Sequence, residues 1–173
     1  MKVASNRIQD VYRHYVAAIE GLYTAEEARN LISMLIEEYA GLGRTEIMIN
    51  PEITINESEL LKVHFAVKAL KESQPIQQIL GYAIFCECRI GVDRHVLIPR
   101  PETEEMVEKI KKENFPSVPR ILDIGSGSGA IAIALKKHFY GSNVFALEKS
   151  EKAIRKASEN AVNNSAEIHF IHA

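Results

Sequence analysis

The sequence predicts an α/β protein: an N-terminal helical bundle, a β-hairpin linker, and then the first half, βαβαβ, of a doubly wound parallel sheet. Three observations predict it. Apolar residues recur at helical spacing through residues 1–74. At Gln74-Pro75 the period changes, and proline disfavours a helical residue before it, so the bundle is expected to end there. Finally, Ile121-Leu122-Asp123-Ile124-Gly125-Ser126-Gly127-Ser128-Gly129-Ala130 joins a short apolar run, three alternating glycines and an Ala/Ile/Leu-rich helical pattern. That order is strand, tight loop, helix.

The 173 residues suffice for one domain with a sizeable core or two small ones. No apolar run approaches membrane-spanning length, and the N-terminal stretch has acids and no signal-peptide core. Two cysteines make no disulfide framework, which fits a reducing, cytoplasmic setting. Net charge is −2; residues 1–74 carry 8 Lys/Arg against 11 Asp/Glu, and residues 75–173 carry 13 against 12. Neither half is basic, so direct nucleic-acid binding is disfavoured.

Within residues 1–74, Ile8, Val11, Tyr12, Tyr15, Val16 and Ile19 form the apolar stripe of a first helix that Gly21 ends. Thr24 with Glu27 reads as a capping box for a second, whose inner face is Ala28, Leu31, Ile32, Leu35, Ile36 and Tyr39. Gly41 and Gly43 stop it, and Thr45–Ile49 is expected as a turn. Asn56 with Glu59 opens a third helix, with Leu60, Leu61, His64, Val67 and Leu70 on one face. His14 and His64 stand alone and read as core or surface residues, not metal ligands. The bundle shows no chemistry; it suits substrate recognition or support.

Residues 75–101 are expected as the hairpin linker. Ile76, Ile79, Leu80, Tyr82, Ile84 and Phe85, then Ile90, Val92, Val96 and Ile98, are strand-like runs broken by Gly81 and Gly91. Cys86 and Cys88 would share a strand face, but no further ligands follow at metal-binding spacing, so no metal is expected. In Leu97-Ile98-Pro99-Arg100-Pro101-Glu102-Thr103-Glu104 two prolines fix an extended backbone and the acids favour a helix start. This rigid segment sets Arg100 and Thr103 ahead of the glycine loop, where they could line a ligand site.

Residues 102–173 then read as a partial sheet domain. Strands are expected at Arg120–Ile124, Asn143–Leu147 and Glu167–His172. Helices are expected from Ser128 to Phe139 and after the cap Ser150, with Ala153, Ile154, Ala157 and Ala161 inward. His169 and His172 fall on opposite strand faces and cannot share one metal. In a doubly wound sheet the first strand lies centrally, beside a fourth. A chain that closes after the third leaves Ile121–Ile124 as an unprotected edge. The chain is therefore expected to be the N-terminal fragment of a longer protein.

Two ligands compete for the glycine loop. Gly125, Gly127 and Ala130 fit the dinucleotide fingerprint G-x-G-x-x-G/A, and Glu148 lies 23 residues beyond Gly125, suited to ribose hydroxyls; this is compatible with NAD. Gly129 adds a third alternating glycine, and Asp123 sits two residues before the loop. A carboxylate there can pair with a cationic amino group, which S-adenosylmethionine has and NAD lacks at that end.

Asp-x-Gly-x-Gly-x-Gly with an acid closing the second strand resembles motif one of the Rossmann-like methyltransferases. Pro75-Ile76-Gln77, Ile79-Leu80-Gly81, Phe85, the Pro-Arg-Pro-Glu-Thr block and Leu122–Ala132, in that order and spacing, narrow the resemblance. Together they are similar to the peptide chain release factor N5-glutamine methyltransferases. The resemblance implies methyl transfer from S-adenosyl-L-methionine to the glutamine side-chain amide in the Gly-Gly-Gln loop of class I peptide chain release factors. It implies that Gly125, Ser126, Gly127, Ser128 and Gly129 cradle the cofactor's methionine end. Glu148 would take its ribose hydroxyls, Asp123 its amino group directly or through water, and Arg100 and Thr103 would line the pocket.

Three departures stand out. Glu148 replaces the family's usual Asp, and Glu87 stands in the hairpin where the family often has glycine. The Asn-Pro-Pro-Tyr motif, which orients the substrate amide, does not occur, so no catalytic residue is expected in this chain, and the fragment by itself is expected to be inactive. The alternatives carried forward are a ribosomal-protein glutamine as substrate, an NAD-dependent oxidoreductase, and a non-catalytic binding module.

Overall fold

In a computed structural model, residues 5–173 are described, and the chain divides into two compact units, Met1–Leu80 and Gly81–Ala173. The first unit is helical. Helix α1 spans Ile8–Ile19, α2 Ala25–Ala40, α3 Arg44–Ile49, α4 Glu57–Lys71 and α5 Ile76–Leu80. The core is built from the expected stripes: Ile8, Val11, Tyr15, Val16 and Ile19 of α1 meet Ala28, Ile32, Leu35 and Ile36 of α2. Thr24 Oγ1 accepts from the Glu27 N–H at 3.2 Å, and Gly41 closes α2 in the left-handed region at φ 68°. Asn56 and Glu59 complete a reciprocal capping box, both bonds at 2.9 Å.

Three expectations in this unit are corrected. The turn at Thr45–Ile49 is the helix α3, begun where Glu46 Oε2 accepts from the Gly43 N–H at 2.8 Å and held by the burial of Ile47. On α4 the buried face is Val63, Ala66, Val67 and Leu70, a stripe that leaves Leu61 54% exposed. His64 lies at the edge of that face, its Nδ1 3.2 Å from the Tyr15 hydroxyl. Ile76, Ile79 and Leu80 are not strand. The Pro75 carbonyl accepts from the Gln78 and Ile79 N–H groups, forming the short helix α5, whose apolar side chains pack on the bundle core.

In the second unit β1 (Tyr82–Phe85) and β2 (Cys88–Gly91) form an antiparallel hairpin, in register from Tyr82 opposite Gly91 to Phe85 opposite Cys88. Strand character stops at Gly91, so Val92, Val96 and Ile98, read as strand-like, lie in irregular backbone. The hairpin is also no free linker. Phe85, Cys88 and Ile90 are buried in one cluster with Val107, Ala130 and Ile133.

Its two-residue turn places Cys86 at φ 46° and Glu87 at φ 64°. Both lie in the left-handed region, where an L side chain costs about 1–2 kcal/mol. Glycine at position 87 would adopt this geometry without that cost. Glu87→Gly is expected to stabilise the unit by about 1 kcal/mol, the relief exceeding glycine's greater unfolded-state entropy. Denaturant unfolding of the two proteins measures it, and a destabilised variant would contradict it.

Helix α6 (Pro101–Lys111) follows, then β3 (Arg120–Ile124), α7 (Ala130–His138), β4 (Asn143–Glu148), α8 (Glu151–Asn163) and β5 (His169–His172). The three strands are parallel in the order β3-β4-β5. Helix α7 starts two residues later than expected because Gly129, at φ 77°, is its N-cap. Strand β5 also starts two residues late. Among the described residues β3 pairs only with β4, and its Leu122 and Ile124 are 56% and 72% exposed.

Candidate cofactor-binding site

The β3–α7 turn is made by three glycines in the left-handed region: Gly125 at φ 76°, Gly127 at 53° and Gly129 at 77°. Such angles are open to glycine at no steric cost. The turn is tied to the sheet by the Leu147 carbonyl, which accepts from both Gly125 N–H (2.8 Å) and Ser126 N–H (3.1 Å). Gly129 N–H then donates to the Ser126 carbonyl at 2.8 Å, closing the loop.

The glycines differ in what surrounds them. A Cβ at Gly125 would meet nothing within 4 Å, and at Gly127 only the Gly125 carbonyl at 4.0 Å. At Gly129 it would stand 3.1 Å from Ala157 Cβ and 3.5 Å from Ile133 Cδ1. The first two keep open space beside bare backbone; the third lets α8 approach the start of α7. Ser126 and Ser128 are buried, and Ser126 Oγ has no hydrogen-bond partner.

Two carboxylates flank the loop. Glu148, at the end of β4, is buried; its Oε2 accepts from Gly127 N–H and its Oε1 from Ser150 N–H, each at 2.9 Å. The Ser150 N–H is the main cause holding its pKa below the ordinary range, with Gly127, Lys149 N–H and the Lys149 charge adding to it against burial. Asp123 behaves oppositely. Burial pushes its pKa up, the Glu148 charge adds to this, and a bond from the Ala132 N–H opposes it. Its Oδ2 is buried without a partner. An unpaired buried carboxylate oxygen is costly, and a cationic donor would satisfy it.

Loop and both acids therefore come together as expected. Arg100 and Thr103 do not join them by any described contact. Arg100 is the exposed N-cap of α6, making no capping bond, and Thr103 lies in the first turn with its N–H on the Arg100 carbonyl at 3.0 Å. Sequence reasoning passed over Asn160. Only 1% exposed, it reaches from α8 to the hairpin and to the glycine loop. The available signal was a carboxamide at a position where the period Ala153, Ala157, Ala161 calls for an apolar residue.

Residues 101–173, which contain the glycine turn, both acids and the parallel sheet, match the family described as "Methyltransferase small domain". Residues 10–81 match the "PrmC N-terminal domain". The release factor glutamine methyltransferase of Flavobacterium psychrophilum is 38% identical over 95% of this chain and 59% of its own length. That of Bacteroides thetaiotaomicron is 36% identical over 95% of this chain and 58% of its own. The chain belongs to the release factor glutamine methyltransferase family and corresponds to its N-terminal portion. It spans somewhat under three fifths of the length of these curated relatives. Among solved structures, Pyrococcus abyssi tRNA (uracil-54, C5)-methyltransferase in complex with S-adenosyl-L-homocysteine aligns at 25% identity and TM-score 0.42, covering 50% of this chain and 22% of that one. No helix among the described residues is long and apolar enough to cross a membrane.

Proposed function

We propose that this chain supplies the cofactor-holding part of an enzyme that transfers a methyl group from S-adenosyl-L-methionine to the glutamine side-chain amide in the Gly-Gly-Gln loop of class I release factors. The observation that carries the reading is the unpartnered, buried Asp123 Oδ2 beside a loop with open space at Gly125 and Gly127. When bound, the cofactor supplies an electrophilic methyl on a sulfonium. Asp123 would take its amino group, the Gly125–Gly129 backbone its methionine end and Glu148 its ribose hydroxyls, while Arg100 and Thr103 would line the pocket. The named relatives and the two matched domains support the substrate class. The helical unit would serve release-factor recognition.

The division of labour supports residues 1–74 as recognition or support and residues 102–173 as the cofactor part. The hairpin now stands with the latter, since its side chains share that core.

Gly127→Val tests the site. Its side chain would enter the open space beside the loop at a backbone angle hostile to a β-branched residue. Titration with S-adenosylhomocysteine, in the intact enzyme and in this chain, is expected to show binding abolished by the substitution. Unchanged affinity would remove the site assignment, and tighter binding of NAD than of S-adenosylhomocysteine would favour the oxidoreductase reading.

A further inference from the structure

We infer that Asn160 is a positioning residue that sets the conformation of the glycine loop for its ligand, an inference that deepens the cofactor reading and rests on it for the ligand alone. Its carboxamide makes three bonds, all to backbone of distant segments. Oδ1 accepts from Gly91 N–H at 2.8 Å, while Nδ2 donates to the Gly91 carbonyl and to the Ser128 carbonyl, both at 2.9 Å. Toward Gly91 the side chain acts as a strand would, pairing both backbone groups at the end of the hairpin. Toward the loop it holds one carbonyl.

That carbonyl matters because Ser128 C=O and Gly129 N–H belong to one planar peptide unit. The N–H end is bound to the Ser126 carbonyl at 2.8 Å and the C=O end to Asn160. With both ends held, the peptide cannot rotate, and the directions of its flanking backbone groups are fixed. A preorganised loop binds without the cost of ordering itself.

A second observation, independent of the loop, points the same way. Gly91 does not need glycine for its backbone angle, since it is absent from the positive-φ residues. It needs glycine for room: a Cβ there would stand 2.8 Å from Asn160 Oδ1. The hairpin ends in glycine so that this carboxamide can approach.

Asn164 provides the control. It is the C-cap of α8, and its Nδ2 binds the Arg89 carbonyl of the same hairpin and the Asn160 backbone carbonyl, both at 2.9 Å, without a bond to the loop. The experiment compares Asn160→Asp, Gly91→Ala and Asn164→Ala in the 173-residue chain. It measures thermal midpoint, amide hydrogen exchange at Gly129, and S-adenosylhomocysteine affinity by NMR titration. Asn160→Asp keeps shape but turns an oxygen toward two carbonyls. It and Gly91→Ala are expected to lower Gly129 amide protection at least tenfold and affinity at least tenfold. Asn164→Ala is expected to lower the midpoint while changing both loop readouts by less than twofold.

Two results would overturn the inference: loop readouts within twofold of the parent in a folded Asn160→Asp or Gly91→Ala, or equal loop losses in Asn164→Ala. If the parent chain binds no S-adenosylhomocysteine, exchange at Gly129 still decides the role of Asn160, and the cofactor reading is decided by titration of the intact enzyme.

Discussion

Gly129→Ala is expected to destabilise the Gly81–Ala173 unit by about 3 kcal/mol, lowering its thermal midpoint by roughly 15 °C on the scale of a small domain. Two effects combine. The methyl group would occupy a left-handed backbone position at φ 77°, and it would stand 3.1 Å from Ala157 Cβ. That neighbour is a buried methyl on α8, with no flexible end to swing aside. Gly127→Ala is the internal comparison. Its φ is 53° and its surroundings are open, so only the backbone cost of about 1 kcal/mol applies. Thermal unfolding of both variants checks the difference; an equal loss would show that packing at Gly129 is looser than the 3.1 Å approach implies.

Asp123→Asn is expected to have opposite effects on folding and on binding. Burial, joined by the Glu148 charge, raises the Asp123 pKa above its unfolded value. Such a group contributes stability fully below the unfolded pKa and loses it as pH rises through the folded one. At pH 7, above the unfolded pKa, the raised pKa therefore costs stability, and Asn, which cannot ionise, removes that cost. The variant should be more stable than the parent at pH 7, with the advantage shrinking as pH falls toward the ordinary carboxylate range. Glu148, whose pKa is lowered, contributes in the reverse sense, its stability being lost as pH falls through its folded pKa. For binding, loss of a charge-assisted bond to the cofactor amino group is worth about 1.5–3 kcal/mol, roughly tenfold to a hundredfold in affinity. Urea unfolding at several pH values and S-adenosylhomocysteine titration test the two halves separately. Unaltered affinity would remove Asp123 from the binding role, and a variant less stable at pH 7 would contradict the burial account.

What was legible in the sequence was whatever is written in local order. The apolar stripes of α1 and α2, the Asn56–Glu59 cap and the strand–glycine–helix succession depend on residues a few positions apart, and they formed as read. Short elements were not legible. Helices α3 and α5 have six and five residues, too few for a period to declare itself, and packing on the bundle decides them. Leu61 was placed inward by grouping it on one face with Leu60, His64, Val67 and Leu70; the actual face turns on Val63 and Ala66, smaller residues with a weaker signal. In the site, the paired acids were visible from their spacing around the glycines. The bonds that occupy Glu148 were not, because its longer side chain folds back onto Gly127, a contact across 21 residues.

The carboxamide of Asn160 also fixes an order of events. Its partner Gly91 lies 69 residues earlier in the chain, and Ser128 lies 32 earlier. Closing such spans carries an entropic cost that grows with their length, and neither can close before α8 has been made. The first unit closes spans of its own, 49 residues from Tyr15 to His64 and 47 from Tyr23 to Leu70, all within Met1–Leu80. The glycine turn, by contrast, stays unfinished until the far end of α8 has left the ribosome and swung back to it. The loop geometry offered to a ligand thus depends on a residue made 32 positions after the loop itself.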